Sequence, residues 1–308
     1  MPLLTYNEFA AANQKGGSIR EDLLDFIENL SPSDTPLFNN LGALKVEAGF
    51  VEYLEDTLSA AADNAFTEGA AATDQALSVP TRNFSIVQNF QKHYHVSNRQ
   101  LSVTHAGLAN MLGYQAVKKM RELKRDIELA LHRGSAVSGD TNVAPQFGGF
   151  LNRLSTNFTA SSGTTLTEKV FNDIVTLTYA NPVNLREVYA NMRIKRTING
   201  FTTNTTRFIP SEDRRQVNIV DVYESEIGTL ALFKSRDQLQ SASPTLQGNS
   251  WIAIDPDYFQ VGWLRPVQEM ELGLDGDRKR RMLVGECTLI VRSEKAGAGG
   301  TGFVGNIA

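Results

Sequence analysis

The longest run of regularly spaced apolar residues lies between residues 103 and 133. Its apolar side chains recur at steps of three and four, the spacing of one helix face, at Leu108, Met111, Leu112, Met120, Leu123, Ile127 and Leu131. Gly134 follows and is placed to end a helix. The pattern predicts a helix from about Val103 to Arg133, which at about 1.5 Å per residue would be roughly 45 Å long. A helix of this length is a strut.

Two stretches before the strut have the character of strands. Residues 50–58 look extended, and residues 84–96 place Phe84, Ile86, Phe90, Tyr94 and Val96 on one side. Between them, residues 59–80 are mostly Ala, Asp, Asn, Thr and Gly, so this segment cannot fold on its own contacts. We predict a long hairpin with an extended tip, in which Phe66, the only aromatic residue, is a candidate contact for another subunit.

Residues 1–45 are polar and broken by glycine and proline. One short helical stretch, from about Ile19 to Leu30, has an apolar face formed by Leu23, Phe26, Ile27 and Leu30. This stripe is too short to make a core of its own. We predict an arm that packs either on the main body or on a neighbouring subunit.

The second half of the chain mixes helix and strand signals. Thr165-Leu-Thr-Glu168 fits a capping box that opens a second helix. Strand-like runs follow at residues 217–222, 229–233, 251–254 and 259–264. A final hairpin is predicted to turn near Asp275-Gly-Asp277, with a return strand from Arg281 to Arg292 and a Gly/Ala-rich tail after it. This order of elements indicates an α+β fold.

Composition narrows the class of protein. With 308 residues, both one elaborated domain and two linked lobes are open. The 30 basic and 34 acidic residues give a formal net charge of −4, which argues against a surface built throughout to neutralise phosphates. The N-terminus lacks a secretion signal, and nowhere do about 18 apolar residues run together. We therefore expect neither secretion by that route nor a membrane span.

Cys287 is the only cysteine, which excludes an internal disulfide. In the last strand it shares a face with Leu283, Leu289 and Val291, while Met282, Glu286 and Thr288 lie on the other face. The pattern predicts an inert core thiol.

Signals for chemistry are sparse. The sequence contains no Walker-type phosphate loop, no Gly-x-Ser-x-Gly elbow and no His-Glu-x-x-His pair. His93, His95 and His105 raise the question of a metal site, but a polar strand face is the simpler interpretation. Carboxylates that suggest acid–base pairs sit in a turn or interleave with basic residues, as on a solvated helix face; they are Asp255, Asp257, Glu122, Asp126 and Glu128.

A calcium loop is the last candidate site. Asp275, Asp277 and Glu286 occupy the first, third and twelfth positions of the calcium-loop template. Lys279 stands at the fifth position and Arg280 at the required glycine, so a hairpin turn is favoured. We expect no metal, no cofactor and no catalytic residue.

The distribution of charged residues says more about function than these candidate sites do. The first hairpin arm is acidic, and two later segments are basic. The acidic residues are Glu52, Glu55 and Asp56, and the basic ones are Lys118, Lys119, Arg121, Lys124 and Arg125 on the strut and Arg278, Lys279, Arg280 and Arg281 in the last hairpin. These are either three solvated patches or complementary surfaces, with the acidic arm of one subunit on a basic patch of the next.

Several segments occur in an order typical of one protein family. They are Leu30-Ser-Pro-Ser-Asp-Thr-Pro36, Glu52-Tyr-Leu-Glu-Asp56, Met120-Arg-Glu-Leu-Lys-Arg-Asp-Ile-Glu128, Val222-Tyr-Glu-Ser-Glu-Ile-Gly228, Trp263-Leu-Arg-Pro266 and Gly285-Glu-Cys-Thr-Leu-Ile-Val-Arg292. With the order of elements, they resemble the major capsid proteins of tailed bacteriophages, which have the Hong Kong 97-type (HK97-like) shell fold. The resemblance implies an N-terminal arm at 1–45, an extended loop at 46–97, a peripheral domain with a spine helix at 98–165, an axial domain at 166–262, and return strands of the peripheral domain with a tail at 263–308.

The resemblance also implies a function. Such proteins assemble into the pentamers and hexamers of an icosahedral head that encloses double-stranded DNA without sequence specificity. The implied location is the virion capsid, assembled in the host cytoplasm, with no membrane. The implied partners are copies of the same chain and a portal protein, with a separate scaffolding protein because the short arm leaves no room for a built-in one.

Some family members cross-link neighbouring subunits through a lysine in the extended loop. Residues 46–97 contain only Lys92, which lies away from the tip, so we expect no covalent cross-link and leave room for a decoration or cement protein. The alternatives are a self-associating tail or head–tail adaptor protein, which would be built largely of β-sheet, and a hydrolase with an unfamiliar site. The long helix argues against the tail protein.

Overall fold

The computed structural model describes residues 34–71, 77–103, 110–201, 221–239, 248–273 and 276–304. The arm helix predicted at Ile19–Leu30 lies outside these ranges. The helices are α1 Pro36–Asn40, α2 Asn98–Ser102, α3 Met111–Arg133, α4 Phe150–Arg153, α5 Glu168–Thr176 and α6 Met192–Phe201. The strands are β1 Gly42–Lys45, β2 Phe50–Glu55, β3 Thr81–Ile86, β4 Gln88–Ser97, β5 Phe158–Ala160, β6 Glu187–Ala190, β7 Val222–Ser225, β8 Gly228–Lys234, β9 Asn249–Ile254, β10 Phe259–Leu272, β11 Arg278–Val291 and β12 Gly297–Phe303. The predicted α+β class is confirmed.

The strut is helix α3, and it is shorter than predicted. Val103 has extended backbone, with ψ at 136°, and ends the separate helix α2, so the predicted start at Val103 is wrong. The side chain of Asn110 caps α3 by accepting the N–H of Gly113 at 3.0 Å. At the other end Gly134 donates its N–H to the carbonyl oxygen of Ala130 at 2.8 Å, as predicted for the helix stop. The 23 residues of α3 span about 35 Å.

The predicted hairpin is correct for β2 and β3 and wrong beyond them. Phe50 pairs with Ile86 and Glu55 with Thr81 in an antiparallel ladder. The chain then changes partner at Val87, and β4 pairs with β11 instead. The alternation is interrupted because Val87, next to the buried Ile86, is itself buried in a small cluster with Val46 and Ile290.

A four-stranded sheet in the order β1-β10-β11-β4 packs one face against α3. The predicted turn of the last hairpin is confirmed for the residues that are described, since β10 ends at Leu272 and β11 begins at Arg278. Gly276 in this turn has φ at +72°, a conformation that favours glycine. Cys287 on β11 is buried, as predicted, and burial raises the pKa of its thiol to about 12.

The second large sheet has the order β5-β12-β9-β6-β8-β7. Its central strand β9 is entirely buried, and Trp251 on β9 packs against Phe171 of α5 with ring centroids 4.7 Å apart. Strand β12 corrects the prediction of a Gly/Ala-rich tail, because it pairs with both β5 and β9. Since β5 and β12 come from segments assigned to the peripheral domain, this sheet joins both predicted domains, and the domain boundaries stay a prediction.

The predicted capping box is wrong by two residues. Thr167, not Thr165, caps α5, by accepting the N–H of Val170 at 3.3 Å. Glu168 is then the first residue of the helix, where its charge favours the helix N-terminus. Within the described ranges, no helix has both the length and the apolar character needed to cross a membrane.

Candidate assembly surfaces

The β2–β3 hairpin, with the loop that joins its strands, lies within the segment predicted as the extended loop at 46–97 and is called the extended loop below. Polar contacts hold its inner face to the body. Arg153 of α4 donates from Nη2 to the carbonyl oxygen of Phe84 at 2.8 Å and to Ser85 Oγ at 3.3 Å. On β2, Glu55 Oε1 accepts the hydroxyl of Ser293 at 3.0 Å. Between the hairpin and the body lies a polar cavity of about 400 Å³. Beyond the small apolar cluster at its base, where Val51 packs against Val46, Val87 and Ile290, the hairpin therefore rests on hydrogen bonds beside an open space.

The three acidic residues predicted to contact another subunit all bond within this region. Glu52 pairs with Arg82 across the hairpin at 3.2 Å. Glu55 accepts from Asn83 at 3.0 Å as well as from Ser293. Asp56 accepts the N–H of Thr57 at 2.8 Å. Within the described residues these carboxylates make no bond to either basic segment of the same chain.

The tip of the extended loop is exposed along its described length. Every residue from Thr57 to Ala71 is exposed, including Leu58 at 99% and Phe66 at 66%. No lysine or arginine occurs between residues 46 and 81, whereas Asp63 and Glu68 lie in the exposed tip. Apolar side chains on a segment without shelter from its own subunit make this tip a candidate surface for contact with another molecule.

The basic residues of the strut do not form one uniform patch. Lys119 pairs with Glu122 one turn away at 2.7 Å, and Lys124 lies 6.0 Å from the ring centroid of Phe38. Lys118, Arg121 and Arg125 are exposed. Lys92 of β4 reaches Asp126 of α3 at 2.6 Å. Part of the charge on α3 is therefore balanced within the subunit, and Lys118, Arg121 and Arg125 remain at its surface.

The last hairpin divides its basic residues between the two faces of the sheet. Arg281 pairs with Glu269 on β10 at 2.9 Å, beside Tyr94 on β4, whose hydroxyl also bonds to Glu269. Burial, together with that hydrogen bond, raises the pKa of Tyr94 to about 12. Hydrogen bonds from Tyr94 and Arg281 lower the pKa of Glu269. Arg278 and Arg280, at alternate positions, belong to the opposite face.

The structure contains a buried polar junction that the sequence did not predict. Glu128 on α3, expected on a solvated face, is 0% exposed. Its Oε1 accepts the N–H of Leu37 at 3.1 Å and its Oε2 that of Phe38 at 2.7 Å. The carboxylate thus satisfies two free N–H groups in the first turn of α1, a segment about ninety residues earlier in the chain. No local motif marks such a contact.

His132, one turn further along α3, is also 0% exposed and extends the junction. Its Nε2 lies 3.2 Å from Glu128 Oε1 and 2.8 Å from Ser235 Oγ. Its Nδ1 lies 3.0 Å from the amide nitrogen of Gln238, whose oxygen accepts the Ser250 hydroxyl at 2.6 Å. This arrangement assigns the ring hydrogen to Nε2. The network links α1, the strut and the second large sheet.

The residues considered for chemistry lie apart from one another on a strand surface and in a turn. His93 and His95 are exposed on β4, on the polar face that the alternation predicted, and His105 lies outside the described residues. Asp255 bonds to Arg186 at 2.7 Å and caps the turn through the N–H of Asp257. In the part of the chain that the structure describes, no three His, Cys, Asp or Glu side chains converge as a metal site requires.

Comparison with known families places the chain among phage capsid proteins. Residues 4–303 match the family model described as SU10 major capsid protein. The chain belongs to this capsid family. As a major capsid protein it is a structural component of the virion shell and associates with copies of itself. The predicted family resemblance is confirmed.

Individual relatives are distant in sequence. The major capsid protein of Escherichia phage Phieco32 is 29% identical over 129 residues, which is 42% of this chain and only 36% of that protein's length. The capsid of an empty GTA particle superposes with a TM-score of 0.68 at 15% identity, covering 96% of this chain and 98% of the other. For Gordonia phage Cozz the TM-score is 0.65 at 12% identity, with 98% and 96% covered. These similarities confirm the predicted HK97-like fold.

Proposed function

We propose that this capsid protein forms the pentamers and hexamers of an icosahedral head that encloses double-stranded DNA. The observation that carries the proposal is the extended loop, whose tip exposes Leu58 and Phe66 beyond any shelter from its own subunit. A segment of this kind is stabilised when a neighbouring copy covers it. The exposed loop and the surface that receives it are different parts of one chain, and such head-to-tail contacts form rings when the rotation between subunits closes.

We further propose that charge directs this contact, with the acidic side of the loop lying on a basic surface of the next subunit. The last hairpin is the receiving surface that we test first, since it carries four consecutive basic residues, Arg278, Lys279, Arg280 and Arg281. Complementary charge of this kind fixes register and speeds encounter more than it adds affinity.

The test is charge reversal followed by electron microscopy and sedimentation. Glu52→Lys with Asp56→Lys is expected to reduce the yield of closed particles, and Arg278→Glu with Arg280→Glu in the same chain is expected to restore part of it. Asp173→Lys, on the surface of α5, is a matched control that should leave the yield unchanged. If the first variant assembles as well as the natural chain, these carboxylates are solvent-exposed and do not contribute to the contact between subunits.

The remaining partners are proposals that rest on the capsid family. We propose a portal protein, a separate scaffolding protein, packaged DNA held without sequence specificity, and assembly in the host cytoplasm. A decoration or cement protein would act where covalent cross-links are missing. Expression of the chain with and without neighbouring gene products tests these partners. Uniform particles from the chain alone would contradict the need for scaffolding, and tubes of stacked rings would indicate a tail protein instead.

A further inference from the structure

The strut α3 is a positively charged element in an acidic protein. It contains six basic and three acidic residues, a net charge of +3 with histidine neutral. The whole chain has a formal net charge of −4, so the residues outside α3 together carry −7. The positive charge of this chain is therefore concentrated on one helix, and a partner that α3 attracts is negatively charged.

All three carboxylates of α3 already have partners within the subunit. Glu122 pairs with Lys119 at 2.7 Å, and Asp126 pairs with Lys92 of β4 at 2.6 Å. Glu128 is buried in the junction with α1. The carboxylates of the helix are thus not available to neutralise its remaining basic side chains.

Three of the remaining basic side chains, Lys118, Arg121 and Arg125, form what we call the basic row. They follow one another at steps of three and four residues, so they lie on one face of the helix, and all three are exposed. Among the described residues, none of them forms an ion pair. Asp237 lies beside Arg125 at one end of the row, across a cavity of about 170 Å³, without pairing with it. The row extends about 10 Å along the helix axis.

The chemistry of the basic row fits a phosphate backbone. Double-stranded DNA carries one negative charge per about 1.7 Å of its axis, so about six phosphates lie opposite a 10 Å row. Lysine binds phosphate as a point charge and arginine binds it through two parallel hydrogen bonds. Contacts of this kind hold DNA without reading its sequence.

The acidic extended loop of another subunit fits the row less well. The exposed tip of the loop combines its charge with Leu58 and Phe66, which require an apolar surface to cover them. Between Lys118 and Arg125, the helix exposes no large apolar side chain. A partner that offers negative charge alone matches the row better than a partner that must also bury apolar side chains.

We propose that the basic row of the strut is a phosphate-binding surface on which double-stranded DNA lies, with contacts to its backbone and none to its bases. The inference rests on the proposed function and adds the surface through which the chain contacts the DNA. Three phosphate contacts per subunit bind weakly and depend strongly on salt. Many copies of such a contact hold DNA together while each single contact remains reversible.

The first experiment measures binding of the unassembled protein to a short DNA duplex of random sequence over a range of salt concentrations. The logarithm of the binding constant falls linearly with the logarithm of the salt concentration, by about 0.9 for each phosphate that the protein neutralises. Lys118→Gln with Arg121→Gln and Arg125→Gln should therefore make this slope less steep by about 2.7. Arg121→Lys with Arg125→Lys keeps the charge and should keep the slope. An unchanged slope for the glutamine variant, or no binding by the natural chain at low salt, overturns the proposal.

The matched control removes three basic residues from the last hairpin. Arg278→Gln with Lys279→Gln and Arg280→Gln changes the net charge of the chain by the same amount as the glutamine variant of the strut. If DNA lies on the basic row, this control should leave the salt slope unchanged. A slope that falls with the hairpin variant and not with the strut variant places the DNA elsewhere and overturns the proposal.

A second experiment uses the natural chain in assembled particles and needs no substitution. An amine-reactive reagent, read out by mass spectrometry, should label Lys118 in empty particles and label it several-fold less in particles filled with DNA. Lys169 on α5, whose side chain is 83% exposed, is the comparison and should label equally in both. Equal labelling of Lys118 in both kinds of particle overturns the proposal. If the natural chain binds DNA through the row but never forms closed particles, the proposed function fails instead, so the two failures are distinguishable.

Discussion

Replacing Glu128 with alanine removes the centre of the buried junction. Two backbone N–H groups, those of Leu37 and Phe38, lose a charged acceptor, and His132 loses one of its partners. A hydrogen bond to a charged group contributes about 1.5–3 kcal/mol. Because two such bonds are lost, we expect the free energy of unfolding to fall by about 3–6 kcal/mol. Glu128→Gln keeps the shape and one acceptor oxygen, so its cost should be about half.

The assay is urea unfolding of the unassembled protein, followed by tryptophan fluorescence. Trp251 is fully buried and reports global unfolding, whereas Trp263 contacts Phe38 of α1 with ring centroids 6.1 Å apart and reports detachment of that helix. Glu122→Ala, which breaks only the surface pair with Lys119, is the control and should cost no more than about 1 kcal/mol. If Glu128→Ala lowers the free energy of unfolding no more than Glu122→Ala does, the carboxylate does not hold α1 to the strut.

Three further predictions concern single positions. Gly134→Ala should cost at least about 2 kcal/mol, because the new Cβ would lie 2.5 Å from the carbonyl oxygen of Phe147, whereas Gly49→Ala meets nothing within 4 Å and should fold normally. Cys287 should react with a thiol reagent only after denaturant unfolds the protein, since burial raises its pKa; prompt labelling of the native chain would contradict this. Burial acts to raise the pKa of Glu294, but hydrogen bonds from Thr156 and Ser155 outweigh it and lower the pKa below the ordinary 4.5, so its stabilising effect is present above that pH and lost as the pH falls through the lower value. Glu294→Gln should therefore flatten the acid limb of a stability–pH curve, and an unchanged limb would exclude this role.

The periodicity of α3 was readable because its apolar stripe packs on one continuous surface. Leu123, Ile127 and Leu131 are all buried, at the positions the pattern indicated. Glu128 was misassigned for a physical reason: by helical spacing it continues the line of Arg121 and Lys124, which are exposed. It is buried only because α1 arrives from a distant part of the sequence and covers that end of the helix. Local patterns do not contain this information.

Strand β12 shows a second way in which a sequence pattern misleads prediction. Its sequence, rich in glycine, has the composition of a tail, yet it forms the second strand of the large sheet. The glycines permit close approach of backbones, since a Cβ on Gly300 would lie 3.0 Å from the carbonyl oxygen of Thr159. Gly302, with φ at +81°, has a conformation that other residues rarely adopt. Strand propensity is therefore a poor guide where the packing requirement is the absence of a side chain.

A shell of pentamers and hexamers requires one chain to close rings of two sizes, so each subunit must turn by about 72° in one ring and about 60° in the other. The way in which the extended loop is attached to the body would permit this difference in angle between the two rings. Beyond the small apolar cluster at its base, its inner face rests on hydrogen bonds from Arg153 and Ser293 beside a polar cavity, and the ladder changes partner at Val87. Hydrogen bonds beside a cavity permit a change of angle that interlocked apolar side chains would resist. The buried junction at Glu128, by contrast, holds arm, strut and sheet in one arrangement. The adjustment between rings should therefore fall at the loop and not at the strut.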